Sequence, residues 1–250
     1  MRITTLLAIT GFALLSISSA EASQVFVDLA VYRPSTGQFF IRSSLNGSVT
    51  AIKFGASGDQ GLFCRWTSNP ANGGDNLMLF RNGFWFVNSK GDGAQVNASF
   101  SYGAPTDQPL CGSYGSLNGG SVGLFRNGLW FLNGSTTPTF AFGSGGDVAV
   151  HINAKGYGSG NRQNMVYGVY RAGTWFIDEF GSGFVTRTIS FGGLSQDIPL
   201  LIPGWDGDET YSLAIYRDGT WYIQPIPSNP STVTVQFGAI GDIPLVRGAH

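Results

Sequence analysis

Five arginines divide this chain at nearly equal intervals. Arg33, Arg81, Arg126, Arg171 and Arg217 are separated by 48, 45, 45 and 46 residues. Each sits in a copy of one phrase: "VYRPSTGQFFIR", "LFRNGFWFVN", "LFRNGLWFLN", "VYRAGTWFID" and "IYRDGTWYIQ". A fixed period of this size signals a propeller or a solenoid rather than an ordinary globule. Within four copies, two apolar runs are joined by Asn82-Gly83, Asn127-Gly128, Ala172-Gly173 or Asp218-Gly219; the first copy has the longer Pro34–Gly37 loop. Asn-Gly favours a type I′ turn, whose central residues both need positive φ and whose twist matches the flanking strands. An aromatic pair follows each turn: Phe39-Phe40, Trp85-Phe86, Trp130-Phe131, Trp175-Phe176 and Trp221-Tyr222. Neighbouring residues of a strand face opposite sides. Both sides are therefore buried, as stacked blades require.

A third strand in each unit ends in aromatic-Gly: Phe54-Gly55, Tyr102-Gly103, Phe142-Gly143, Phe191-Gly192 and Phe237-Gly238. Asp59, Asp107, Asp147, Asp197 and Asp242 come shortly after, each opening a short apolar strand. Four strands per unit is the size of a propeller blade. The expected fold is all-β, a five-bladed β-propeller with about 46 residues per four-stranded blade. After its leader the chain begins at the second strand of a blade and ends after the first strand of one, so the C-terminal strand closes the first blade. An antiparallel hairpin brings the start of one strand beside the end of the next. This spacing predicts the pairs Asp59–Arg81, Asp107–Arg126, Asp147–Arg171, Asp197–Arg217 and Asp242–Arg33. The rival reading is a ring of aspartates that binds a cation or substrate; unpaired like charges in a ring repel, which favours pairing. The Trp/Phe pairs read as packing between blades rather than as sugar platforms.

The first residues carry one positive charge at Arg2, an apolar run, and Ala20-Glu21-Ala22, the pattern of a cleaved secretory signal over residues 1–22. Residues 23–250 then form one domain in a secreted, periplasmic or extracellular setting, with no later segment apolar and long enough to be a transmembrane helix. The formal net charge of −1 offers no basic field for nucleic acid or an anionic membrane. An oxidising compartment allows Cys64 and Cys111 to bond. Both fall in the innermost strands of adjacent blades, which favours a disulfide over two buried thiols.

"PGWDGDETYSLAIYRDGTWYI", "DLAVYRPSTGQFFI" and "FGAIGDIPL" resemble the FG-GAP/VCBS-type repeats of secreted bacterial proteins. The resemblance runs through all five units. It implies a β-propeller and, where the Asp-rich loop is intact, a bound calcium. Here Asp206 and Asp208 match two acidic positions, while Gly204 and Ser212 stand where further acids belong. Calcium wants several oxygen ligands. The choice at residues 204–212 is between a calcium site and a turn whose aspartates bind their own backbone.

Chemistry needs an asymmetric constellation, so function is expected where the copies disagree. The unequal loops at the end opposite the Asn-Gly turns carry Trp66, Asn72, Tyr114, Tyr157, Asn161 and Trp205, the candidate ligand-binding residues. They suit a glycan or a surface protein. The first expectation is a secreted, non-catalytic binding module. The alternatives are a structural or adhesion scaffold, and a glycoside-processing enzyme built on Asp206, Asp208 and Glu209 or on Asp178-Glu179. His151, alone in its strand, reads as packed rather than catalytic, and no nucleophile, zinc or phosphate-loop motif is present.

Overall fold

The computed structural model describes residues 27–66, 75–114, 121–153, 165–205, 210–226 and 231–247. Blade 1 holds β1 (Asp28–Arg33), β2 (Gln38–Arg42) and β3 (Val49–Lys53). Blade 2 holds β4 (Gln60–Cys64), β5 (Asn76–Arg81), β6 (Phe84–Asn88) and β7 (Ala98–Ser101). Blade 3 holds β8 (Gln108–Gly112), β9 (Ser121–Arg126), β10 (Leu129–Leu132) and β11 (Phe140–Ala141). Blade 4 holds β12 (Val148–Asn153), β13 (Met165–Arg171), β14 (Thr174–Asp178) and β15 (Arg187–Ser190). Blade 5 holds β16 (Ile198–Pro203), β17 (Tyr211–Arg217), β18 (Thr220–Ile226) and β19 (Val233–Gln236). The last strand, β20 (Ile243–Arg247), returns to pair antiparallel with β1, Leu29 opposite Val246. Blade 1 thus has the order β20-β1-β2-β3 and the ring is closed. The protein is a five-bladed β-propeller of four-stranded antiparallel blades, as the repeat predicts. No described helix is long and apolar enough to cross a membrane.

The turns follow their sequences. Asn82, Asn127, Ala172 and Asp218 have φ of 45–51° and the glycines after them 84–89°. Glycine is required there by space as well as by angle: a Cβ on Gly128 would lie 2.5 Å from the Gly143 carbonyl oxygen.

The core is five wedges rather than one body. Leu77 and Leu79 of blade 2 meet Tyr32 and Phe39 of blade 1. Blades 2 and 3 enclose Phe80, Trp85 and Leu124; blades 3 and 4 enclose Trp130 and Tyr167; blades 4 and 5 enclose Trp175 and Leu213. Trp221 and Ile223 pack on Leu29 and Val31, sealing blade 5 to blade 1. Trp85, Trp130, Trp175 and Trp221 are completely buried. Each donates its indole N–H to the carbonyl of the aromatic that follows its blade's fourth strand, Tyr102, Phe142, Phe191 or Phe237, at 2.8–2.9 Å. These tryptophans are mortar between blades, and their indoles are not available to a ligand.

Candidate functional site

The two ends of the ring differ. At the Asn-Gly end all five expected ion pairs form, with Nε to Oδ1 distances of 2.5–2.7 Å. In the Arg33, Arg81, Arg126 and Arg171 pairs a second bond joins Nη2 to Oδ2 at 2.6–2.8 Å. Each Oδ2 also accepts the backbone N–H three residues upstream, from Ala56, Ala104, Ser144, Leu194 or Ala239. The guanidinium lies over the second aromatic of the repeat, 4.5–5.3 Å from the ring centre of Phe40, Phe86, Phe131, Phe176 or Tyr222. One aspartate therefore ties the incoming turn to the second strand of its own blade. Burial resists the charge on Asp107, Asp147 and Asp197, but the arginine and turn N–H bonds outweigh it and hold these carboxyls below the usual range. Burial, and then the charge of Asp59 or Asp242, pushes the Tyr32 and Tyr216 hydroxyls up to about 12. They stay protonated and donate to the carbonyls of Ala56 and Ala239. The aspartates are structural, committed to arginine and backbone.

The opposite end carries the loops in which the sequence places binding residues. Asn72, Tyr157, Asn161, Asp206 and Asp208 lie outside the described residues. Among the described residues no three His, Cys, Asp or Glu side chains gather as a metal site. Tyr114 does not face solvent: it is 3 % exposed. His151 Nε2 lies 2.8 Å from the Cys111 carbonyl, which only accepts, so Nε2 carries the proton. The Tyr114 hydroxyl sits 3.1 Å from the same nitrogen. Burial lowers the His151 pKa, against the Cys111 bond that raises it, and burial drives Tyr114 well above its ordinary value. The pair is a neutral brace between blades 3 and 4. Trp66 is half-buried and stacked on Phe100 at 5.1 Å, with Trp85 stacked on the other side of this ladder at 6.1 Å. Trp205 is half-buried against the wedge between blades 5 and 1, and its backbone N–H donates to Ser212 Oγ. All three aromatics are thus largely absorbed into packing. Cys64 and Cys111 form the expected disulfide, Cα to Cα 5.5 Å, joining the inner strands of blades 2 and 3.

A second candidate at this end lies outside the binding residues that the sequence points to. The blade 4 segment between β14 and β15 reads "DEFGSGFVT". Asp178, completely buried, accepts the N–H groups of Phe180, Ser182 and Gly183 and the Ser182 hydroxyl. Glu179 is not a spare acid either: it bonds Arg187 Nε at 3.0 Å and the Tyr211 hydroxyl of blade 5 at 2.8 Å. This bracing lifts Phe184, Phe180 and Val185 out of the fold at 76, 48 and 50 % exposure. Blade 2 has the same frame on Asn88, whose amide binds Asp92 and the Gln95 carbonyl. Its tip carries Lys90 and Ala94 where blade 4 carries Phe180 and Phe184. The readable signal is Phe184 beside Gly-Ser-Gly in a connection between strands, a large apolar residue in a turn-rich segment.

The five inner strands β4, β8, β12, β16 and β20 surround an axial tube of about 330 Å³. Leu62, Leu110, Val150, Leu200 and Leu245, each third after its blade's aspartate, pack in the wedges between blades. Arg65, Asp75, Ser113 and Asn153 lie at the loop-end mouth.

No protein-family model matches this chain, and no curated protein matches it. The likeness to FG-GAP/VCBS repeats stays a resemblance, and the propeller it implies is present. Among solved structures the chain is similar to the Cps50 (Swd1) β-propeller domain of Myceliophteria thermophila, at 12 % identity and TM-score 0.38, covering 83 % of this chain and 67 % of that one. It is similar to BBS1N, solved in complex with ARL6DN, at 10 % identity and TM-score 0.45, covering 89 % and 71 %. It is also similar to Hsv2 of Kluyveromyces lactis, at 10 % identity and TM-score 0.36, covering 86 % and 61 %.

Proposed function

We propose that this propeller is a secreted, non-catalytic binding module that takes a protein partner at its loop end, with the Phe180–Val185 tip of blade 4 as anchor. The observation that carries the reading is the contrast within that loop. A buried aspartate fixes the backbone while Phe184 stands 76 % exposed. Rigid aromatic anchors bind with little ordering cost and dominate protein interfaces. A protein partner is favoured over a glycan because Trp66, Tyr114 and Trp205 are engaged in packing. The non-catalytic reading rests on the described acids of this end: Asp178 and Glu179 are spent on holding the loop. The Cys64–Cys111 bond supports an oxidising, extracellular setting.

The test is to express the full chain with its leader, recover it from the medium and determine its N terminus, expected at Ser23 or Glu21. The purified protein is then offered to an array of extracellular proteins and to a glycan array. The expected result is a protein ligand whose affinity falls about tenfold or more on Phe184→Ser with an unchanged melting temperature. Binding to glycans alone, indifferent to Phe184→Ser, would overturn it.

A further inference from the structure

We propose that the wedge between blades 1 and 2 is a seat for one aromatic side chain of the protein partner, a tryptophan or tyrosine ring that enters from the loop end. The inference rests on the protein-partner reading above, and the seat is separate from the Phe184 tip.

The other wedges show what belongs there. Each has four equivalent wall positions. Two come from one blade: the residue after the aromatic pair, and the residue two before the aromatic-Gly. Two come from the next blade: the fourth residue after the aspartate, and the fourth before the arginine. Between blades 2 and 3 these are Val87, Phe100, Cys111 and Val122, and Trp66 packs among them. Between blades 3 and 4, Tyr114 packs with Leu132, Phe140 and Tyr167 and meets His151. Between blades 5 and 1, Trp205 packs with Ile223, Val235, Val246 and Leu29. These three rings share one origin, seven or eight residues after the aspartate of the earlier blade. Between blades 4 and 5 the ring is Tyr211, at the start of β17, buried with Ile177, Ile189, Leu201 and Leu213.

Between blades 1 and 2 the four walls are Ile41, Ile52, Phe63 and Leu77, and neither origin supplies an apolar ring. The seventh and eighth residues after Asp242 are Ala249 and His250, which lie outside the described residues. The position of Tyr211 is taken by Asp75 in blade 2. Here the four walls border a cavity of about 420 Å³, within the ~300–1,000 Å³ of small-ligand pockets. Among the described residues this wedge buries five core side chains, against seven to ten in the others. Ile52 and Phe63 are left half-exposed.

The cavity is bordered by Lys90, Asp92 and Arg247. Apolar walls inside a charged rim form the kind of pocket that a buried anchor fills at a protein interface, and tryptophan and tyrosine are the commonest anchors. Either ring covers the walls while its N–H or O–H reaches the wet rim. Lys90 stands on the blade 2 tip, the counterpart of the blade 4 tip that presents Phe184. Anchor and seat therefore lie at one end of the ring, where a single partner meets both.

The experiment is NMR titration of the methyl-labelled full chain with N-acetyl-L-tryptophanamide. Saturable shifts are expected at the methyls of Ile41, Ile52 and Leu77, with NOEs to them from the indole protons. N-acetyl-L-leucinamide should bind about fivefold or more weaker. Ile52→Phe, which installs the ring that blade 2 has at Phe100, should tighten binding about two- to tenfold. Ile52→Glu, a charge on a half-exposed wall, should abolish it, and Phe184→Ser should leave it unchanged. A protein ligand found on the array should bind Ile52→Glu about tenfold or more weaker. If Ile52→Glu does not fold, the NOEs in the wild type decide. A protein ligand without tryptophanamide NOEs to these methyls would overturn the seat and leave the Phe184 reading standing. Tryptophanamide binding with no protein ligand on the array would overturn the partner as the source of the ring.

Discussion

At the Asn-Gly end, every blade repeats the same set of contacts: a buried aspartate, an arginine within 2.7 Å, a turn N–H and an aromatic ring under the guanidinium. At the loop end, the ties are particular to their blades. A disulfide links blades 2 and 3, and a His151–Tyr114 contact braces blades 3 and 4. Glu179 reaches Tyr211 across blades 4 and 5. The difference teaches where each kind of task can sit. A contact made five times distributes stability evenly around a ring. A ligand meets one loop at a time, so recognition needs the end where the blades differ. The loops of blades 2 and 4 show the division at small scale: one frame, on Asn88 or Asp178, carries Lys90 and Ala94 in the first and Phe180 and Phe184 in the second.

This contrast can be broken in several ways. The largest effect is expected from replacing Cys64 and Cys111 together by serine. The bond closes a segment with a sequence separation of 47, and chain-entropy arguments put its loss at about 4 kcal/mol, with 2–4 typical; urea unfolding with and without reductant measures it. Arg126→Ala is next. It strands the Asp107 carboxylate, which is 0 % exposed while the arginine is 42 % exposed, so a loss of about 3 kcal/mol is expected, the lower end for a broken buried pair. Any of the other four arginines should cost a similar amount if the ring shares its load evenly.

Acid tests the same pairs. Asp107, Asp147 and Asp197 have folded pKa values below those of the unfolded chain. Their contribution is full above the unfolded carboxyl value of about 3.9 and disappears as pH falls through the lower folded values. Melting temperature should therefore drop steeply below about pH 4, and less steeply in Arg126→Ala. The smallest stability effects sharpen the contrast. Ala172 holds a φ of 45° that its three counterparts assign to Asn or Asp; Ala172→Asn should stabilise by about 0.5–1 kcal/mol. Phe184→Ser, at the loop end, should change stability by less than about 0.5 kcal/mol while removing the proposed partner.

Much of the Asn-Gly end was legible because its rules are local. Turn chemistry and strand alternation act over a few residues, and their repetition at a fixed period marks the five Asp–Arg pairs, with Asp242–Arg33 made across the ring closure. The loop end resisted the same reading. Tyr114 looks like a loop aromatic in "CGSYGS", yet it is buried because His151, 37 residues later, comes to rest beside its hydroxyl. Trp66 looks free until Phe100 stacks on it. Asp178-Glu179 looks like a spare acidic pair until the loop folds around one and Arg187 and Tyr211 close on the other.

The sequence by itself determined the period, the blade, the turns and the partners within each hairpin, since hydrogen-bond pairing and apolar alternation operate between neighbours in the chain; the closure by the last strand was legible because the repeat leaves the first blade one strand short. Only the tertiary structure decided which aromatics stay exposed and what lines the axis. Exposure depends on groups that arrive from other blades. The tube belongs to no single strand: it exists only when five inner strands meet around one axis.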